Sequence, residues 1–184
     1  MSEFKAKLNK TREYLDYLEE HYDNVQKAFK EAIPKWYDEE VIYEEYLFDI
    51  LEDDVKYHDM SKLSKEEFVQ YRQSFFPTDY EIDYANSCYG ITVKDYFKES
   101  FNLAWENHKR ENKHHWQSIE SFFLKISKQI DYAHMLIDWI AMGYKFNNTA
   151  IDYYEKNKEE INLEPEWDIY VRRLLDKFYN SVEE

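Results

Sequence analysis

Three features of the chain predict an all-α fold. It holds only two glycines and three prolines in 184 residues, too few turn formers for a protein built on tight hairpins. Apolar residues recur at helical three- and four-residue spacing over most of its length. No stretch shows the alternation of a half-buried strand. The length suits a single domain, 1–184, built as a helical bundle: a core over about 8–145 with C-terminal helices over 146–182 packed on it. Hydrophobic residues make up 43% and aromatics 19%, enough for a packed core and unlike an acidic disordered chain.

Each element has its own signal. Over 8–32 the stripe is Tyr14, Leu15, Leu18, Val25, Phe29 and Ala32. His21 falls in that stripe and faces the core, and Pro34 marks the helix exit. A second helix over about 39–56 is apolar at Tyr43, Tyr46, Leu47, Ile50 and Leu51, with His58 and Asp59 following its C-terminal end. Ser64-Lys65-Glu66-Glu67 has the form of a capping box that starts a short helix through Phe75. Residues 77–91, with Pro77, Thr78, Asp79, Asn86, Ser87 and Gly90, read as the one substantial loop, either a lid or a connector. Thr92 is an N-cap for a helix carrying Phe97, Phe101, Ala104, Trp105 and His108, which stops around 109–113. The next helix begins near His114 and runs to Met142, with Ile119, Phe122, Ile126, Ile130, Ile137 and Ala141 on one face and Gly143 as its terminator. Two more amphipathic helices follow over 145–160 and 166–182, the last with Trp167, Tyr170, Val171, Leu174 and Phe178.

Bulk charge narrows the partners. With 24 basic and 39 acidic residues the net charge is −15, which disfavours binding to extended nucleic acid. The single cysteine, Cys88, allows no disulfide within the chain and fits a reducing cytosol. The N-terminal Met1-Ser2-Glu3-Phe4-Lys5 lacks an apolar signal region, and no apolar run reaches membrane-spanning length. A cytoplasmic protein with no membrane partner is the expectation. The aromatic surface could support a homodimer.

The chemistry concentrates on His58-Asp59-Met60-Ser61-Lys62. His21 lies upstream, and His108, His114, His115 and Asp138 lie downstream. Imidazole and carboxylate together suit divalent transition ions such as Mn, Fe, Co, Ni or Zn, one or two of them. Such ions acidify bound water and polarise phosphoryl oxygens. Asp138 sits amid Leu136, Ile137, Trp139 and Ile140, and a buried carboxylate needs a metal, His or Lys partner. His134, four residues earlier, could be that partner without any metal. If the backbone is helical there, Lys62 lies one turn beyond His58 and could point at a phosphate oxygen. Each piece also has a plain reading. A His-Asp dipeptide is common, His21 alone reads as a hydrogen-bonded core histidine, and His114-His115 could simply begin a helix.

Taken in order, His21, His58-Asp59 and Asp138 resemble the signature of the HD superfamily of metal-dependent phosphohydrolases, which is all-helical. His58-Asp59-Met60-Ser61-Lys62 is similar to its His-Asp-x-x-Lys form. His108 with His114-His115 resembles the extra histidines of its two-metal branches, the cyclic-dinucleotide phosphodiesterases above all. The segments 58–68, 105–116 and 138–143 further resemble an uncharacterised family of phages and Firmicutes, over roughly residues 15–145. The resemblance implies that His21, His58, Asp59 and Asp138 ligate a first metal. His108, His114 and His115 would serve a second metal or the substrate phosphate, and Lys62 would contact that phosphate. Asp59 and Lys62 would then be the catalytic pair, acting on a nucleotide, a cyclic or signalling nucleotide, or another small phosphate ester. A phage origin would place the protein in the bacterial host cytoplasm. The sequence departs from the cyclic-dinucleotide enzymes in three ways. The step from His108 to His114 is short, Trp116-Gln117 replaces their glycine-tyrosine-proline motif, and Tyr17 stands where they carry an acidic ligand. The alternatives are an inactive HD-like scaffold that binds a nucleotide or partner, and an acidic phage protein that blocks a host factor by mimicking nucleic acid.

Overall fold

The structure is a computed structural model that describes residues 1–37, 45–119 and 125–180. The described residues are all-α, as the sequence predicts. The helices are α1 (Glu3–Trp36), α2 (Glu45–Lys56), α3 (Phe68–Phe75), α4 (Asp79–Tyr84), α5 (Val93–Glu111), α6 (Lys125–Phe146), α7 (Ala150–Ile161) and α8 (Pro165–Asn180). No helix among the described residues is long and apolar enough to cross a membrane. Tyr43, Phe122, Val182 and the side chain of Tyr46 lie outside the described residues. The chain packs as two compact units, one of 1–20 with 59–112 and one of 21–58 with 113–184.

In the first unit α3 packs along α5. Its core joins Tyr14, Tyr71 and Ala104 to Phe68, Phe76, Phe101 and Trp105. The expected loop over 77–91 is mostly helical. Thr78 and Glu81 form a reciprocal capping box that starts α4, and a π-helical turn over Ala85–Tyr89 follows. Gly90 ends it with φ 65°, a backbone state that glycine takes at no steric cost. Glu81 also receives both arms of the buried Arg72 guanidinium, at 2.8 and 2.6 Å. The sequence signal was present in Thr78-Asp79-Tyr80-Glu81, but Pro77 and the neighbouring Asn and Ser hid it.

The second unit is built on α6, against which α2, α7 and α8 pack. Ile130, Ala133, Leu136, Ile137, Ile140 and Ala141 form one buried stripe, and Tyr132, Met135 and Trp139 bury the opposite side, so the apolar residues of that helix outrun a single stripe. α1 continues two residues past Pro34. Proline removes one donor from the helix, and tertiary bonds hold the last turn in place. Trp36 Nε1 donates to the Leu174 carbonyl at 2.9 Å, and Lys35 Nζ donates to that of Phe178 at 2.7 Å. α6 likewise runs past Gly143 to Phe146, and Asn147, at φ 53°, makes the turn. Gly143 serves a close approach instead. A Cβ there would lie 2.7 Å from the backbone oxygen of Asn148. The helix expected from His114 is a turn and a short 3-10 segment over Trp116–Ser118; α6 is described from Lys125. α7 starts at Ala150 rather than near 145, because Thr149 and Asp152 form another capping box.

Candidate metal centre

In the second unit, four buried histidines, His21, His58, His114 and His134, cluster together, and two of them contact the carboxylate of Asp138. His21 comes from α1 and Asp138 from α6. His58 follows α2 in a turn, its N–H bonded to the Val55 carbonyl at 3.2 Å. His21 Nε2 lies 3.0 Å from His58 Nε2 and 3.3 Å from Asp138 Oδ1. His58 Nε2 is 3.7 Å from the same oxygen. Two donors about 2.1 Å from one ion, at angles of roughly 90–110°, lie about 3.0–3.4 Å apart. The two shorter edges fall in that range, and the third corresponds to a wider angle. These residues can hold a metal ion.

The other side of His58 meets His134. His58 Nδ1 and His134 Nε2 are 2.9 Å apart, so one donates to the other. A neutral imidazole has one N–H. With an ion in the triangle the proton of His58 must sit on Nδ1, where His134 Nε2 accepts it. That bond would orient the ring and fix its tautomer, as partners of metal-bound histidines commonly do. The ring of His114 stacks on His58 at 4.4 Å and lies 4.4 Å from that of His134 and 4.3 Å from that of His115. His58, His114 and His134 could also gather three ring nitrogens about an ion. A neutral His58 can serve only one of the two groups, since each needs one of its lone pairs.

Burial would raise the Asp138 carboxyl. The hydrogen bond from His21 and the nearby imidazoles of His21, His58 and His114 outweigh it and hold the group below the usual carboxylate range. An ionised carboxylate is the form that binds a cation. Sequence reasoning offered His134 as the partner of Asp138. The contacts place His134 on His58 instead, and His21 and His58 on Asp138.

Asp59, Lys62 and His108 belong to the first unit, where they pair with one another and with Glu67. Asp59 takes φ 56°, ψ 18°, a left-handed state that aspartate tolerates better than most residues. The chain then enters a 3-10 turn over Met60–Leu63. Lys62 Nζ contacts Asp59 Oδ2 at 2.5 Å, so the lysine expected to face phosphate is paired with this carboxylate. Asp59 Oδ1 is 3.2 Å from His108 Nε2, and His108 Nδ1 is 2.9 Å from Glu67 Oε2. Glu67 has no exposed surface. It also accepts from Ser61 Oγ at 3.0 Å and Asn107 Nδ2 at 2.7 Å. Burial opposes charge on both partners. The hydrogen bonds overcome it, so His108 titrates higher and Glu67 lower than usual.

Glu67 is the residue that sequence reasoning misplaced. Its N–H meets the backbone oxygen of Ser64 at 3.3 Å, and Ser64 Oγ is buried with no partner among the described residues, so no capping box forms there. The Glu67 side chain turns inward to His108 instead, forty-one residues along the chain. No local pattern distinguishes such an anchor from a cap.

A profile of a family of unknown function, DUF5662, matches residues 10–177. The chain belongs to the DUF5662 family. Comparison with curated proteins and with solved structures gave no match. The matched span of the DUF5662 domain takes in every histidine of both clusters, along with Asp59, Lys62, Glu67 and Asp138.

Proposed function

We propose that His21, His58 and Asp138 hold a divalent transition-metal ion and that the protein uses it to hydrolyse a small phosphate ester, a nucleotide being the first candidate. The observation that carries the reading is the triangle of two imidazole nitrogens and one carboxylate oxygen, with edges of 3.0, 3.3 and 3.7 Å. The order of these residues in the chain, which resembles the HD phosphohydrolases, supplies the reaction class. A divalent ion in such a site acidifies water and polarises a phosphoryl oxygen. The protein's own residues do the rest. His58 and His21 present nitrogen lone pairs, Asp138 supplies negative charge, and His134 fixes the tautomer of His58. His114, stacked on His58, limits rotation of that ring.

The test is a screen of nucleotides and simple phosphate mono- and diesters with Mn, Fe, Co and Ni, run on the wild type and on His58→Ala. The reading expects metal-dependent release of phosphate or nucleoside product that His58→Ala abolishes. A wild type that hydrolyses these esters without metal would overturn it. So would one that binds metal stoichiometrically and hydrolyses none of them, leaving a binding protein.

A further inference from the structure

The first helix carries a second apolar face. In the first unit its inner side is Ala6 and Tyr14, both buried, with Tyr17 packed beside Tyr14's aromatic cluster. At 100° per residue, Phe4, Leu8 and Leu15 fall on the outer side, where they are 76%, 39% and 42% exposed. Leu18, by contrast, packs on the inner cluster around Tyr14. Steps of four and seven residues are those of a seam that faces another helix. Three exposed apolar residues on one line, with Thr11 and Arg12 in the turn between Leu8 and Leu15, differ from the single exposed leucines that most surfaces carry.

Charge along the helix identifies the occupant. Lys5, Lys7, Lys10 and Arg12 come first, and Glu13, Asp16, Glu19 and Glu20 follow. Glu3 is the one acidic residue of the first segment. A parallel second copy would set like charges side by side, whereas an antiparallel one sets the basic segment against the acidic segment. Two-fold symmetry requires a self-complementary surface, and this sequence supplies one. Placing Leu8 opposite Leu15 of the other copy brings Lys5 to within one residue of the level of the other copy's Glu19, and symmetry repeats the pair. We propose that the outer face of α1 is a homodimer interface, two copies packing antiparallel through Phe4, Leu8 and Leu15. The pairing is independent of the metal reading.

Sedimentation of the full-length chain from about 1 to about 100 µM tests the interface. The wild type should show a concentration-dependent dimer. Leu8→Glu and Leu15→Glu should each weaken it about tenfold or more, the range expected when a central apolar contact is lost. Both side chains are exposed, so the circular dichroism spectrum and melting of the monomer should be unchanged. Lys5→Glu should weaken the dimer, and Lys5→Glu combined with Glu19→Lys should restore it. A wild type that stays monomeric throughout overturns the proposal, as would one that binds another protein or a membrane in place of itself. A dimer indifferent to Leu8→Glu and Leu15→Glu overturns it too, and so does a charge exchange that fails to restore pairing.

Discussion

Replacing Glu67 by glutamine should destabilise the protein far more than a change of two atoms suggests. The wild-type carboxylate accepts from His108 and Ser61 at one oxygen and from Asn107 at the other. All three neighbours can donate, whereas glutamine has one acceptor oxygen and one NH2 group. With the amide oxygen toward His108 and Ser61 the NH2 faces Asn107, whose own amide must then flip and give up its bond from Arg110, and His108 loses the carboxylate beside its Nδ1. A hydrogen bond to a charged group contributes about 1.5–3 kcal/mol, and breaking a buried pair costs about 3–5 kcal/mol. Glu67→Gln should therefore lose about 3–5 kcal/mol in urea denaturation followed by far-ultraviolet circular dichroism. The pH dependence sharpens the test. Glu67 titrates below its usual 4.5, so its contribution is complete above that value and is lost as pH falls. His108 titrates above its usual 6.5, so its contribution is complete below that value and is lost as pH rises through the raised pKa. The pair should contribute most between those limits, and Glu67→Gln should flatten both flanks. A loss under about 1 kcal/mol with the wild-type pH profile intact would refute the buried-pair reasoning.

Other perturbations have equally definite outcomes. Burial would raise Glu81, but the Arg72 guanidinium and the Thr78 N–H hold it at about 2 against a usual 4.5. Its contribution of about 3 kcal/mol should be present above pH 4.5 and lost toward pH 2. Arg72→Met should abolish that acid limb, measured as stability against pH. Asp131 moves the opposite way, pushed from 3.8 to about 7 by burial and by Asp54. Stability should thus fall as pH rises through that window, and Asp131→Asn should recover up to about 4 kcal/mol at pH 8. No gain at that pH would contradict the assignment. Gly143→Ala should cost about 1–3 kcal/mol because its Cβ would meet the Asn148 carbonyl at 2.7 Å, and a neutral melting temperature would show that the turn simply shifts.

Much of the fold was legible in the sequence, because helical spacing, caps and scarce glycine all act locally. Thr92 caps α5 as predicted, accepting from the Asp95 N–H. The misreadings arose where a distant contact overrides a local rule. Pro34 does not end α1 because Trp36 and Lys35 bond to α8, and Glu67 abandons its cap for a histidine on α5. The candidate site was half legible. His21 and Asp138 stood out as polar residues within apolar helical stripes, and each lies in the cluster with His58. His134 is on the same face of α6 as Asp138, one turn away, yet its partner His58 lies seventy-six residues upstream. Spacing along one helix cannot show which nitrogen of a remote ring it meets.

Metal content of the purified protein, with His21→Ala, His58→Ala and Asp138→Asn measured beside it, tests the metal centre most directly. Elemental analysis after growth in metal-supplemented medium should find a transition metal bound stoichiometrically to the wild type. Each variant should lose most of it, while α-helical content by circular dichroism is retained. A wild type that carries no metal and takes up none of Mn, Fe, Co, Ni or Zn on titration would contradict the metal centre. Variants that bind metal as tightly as the wild type would contradict it equally.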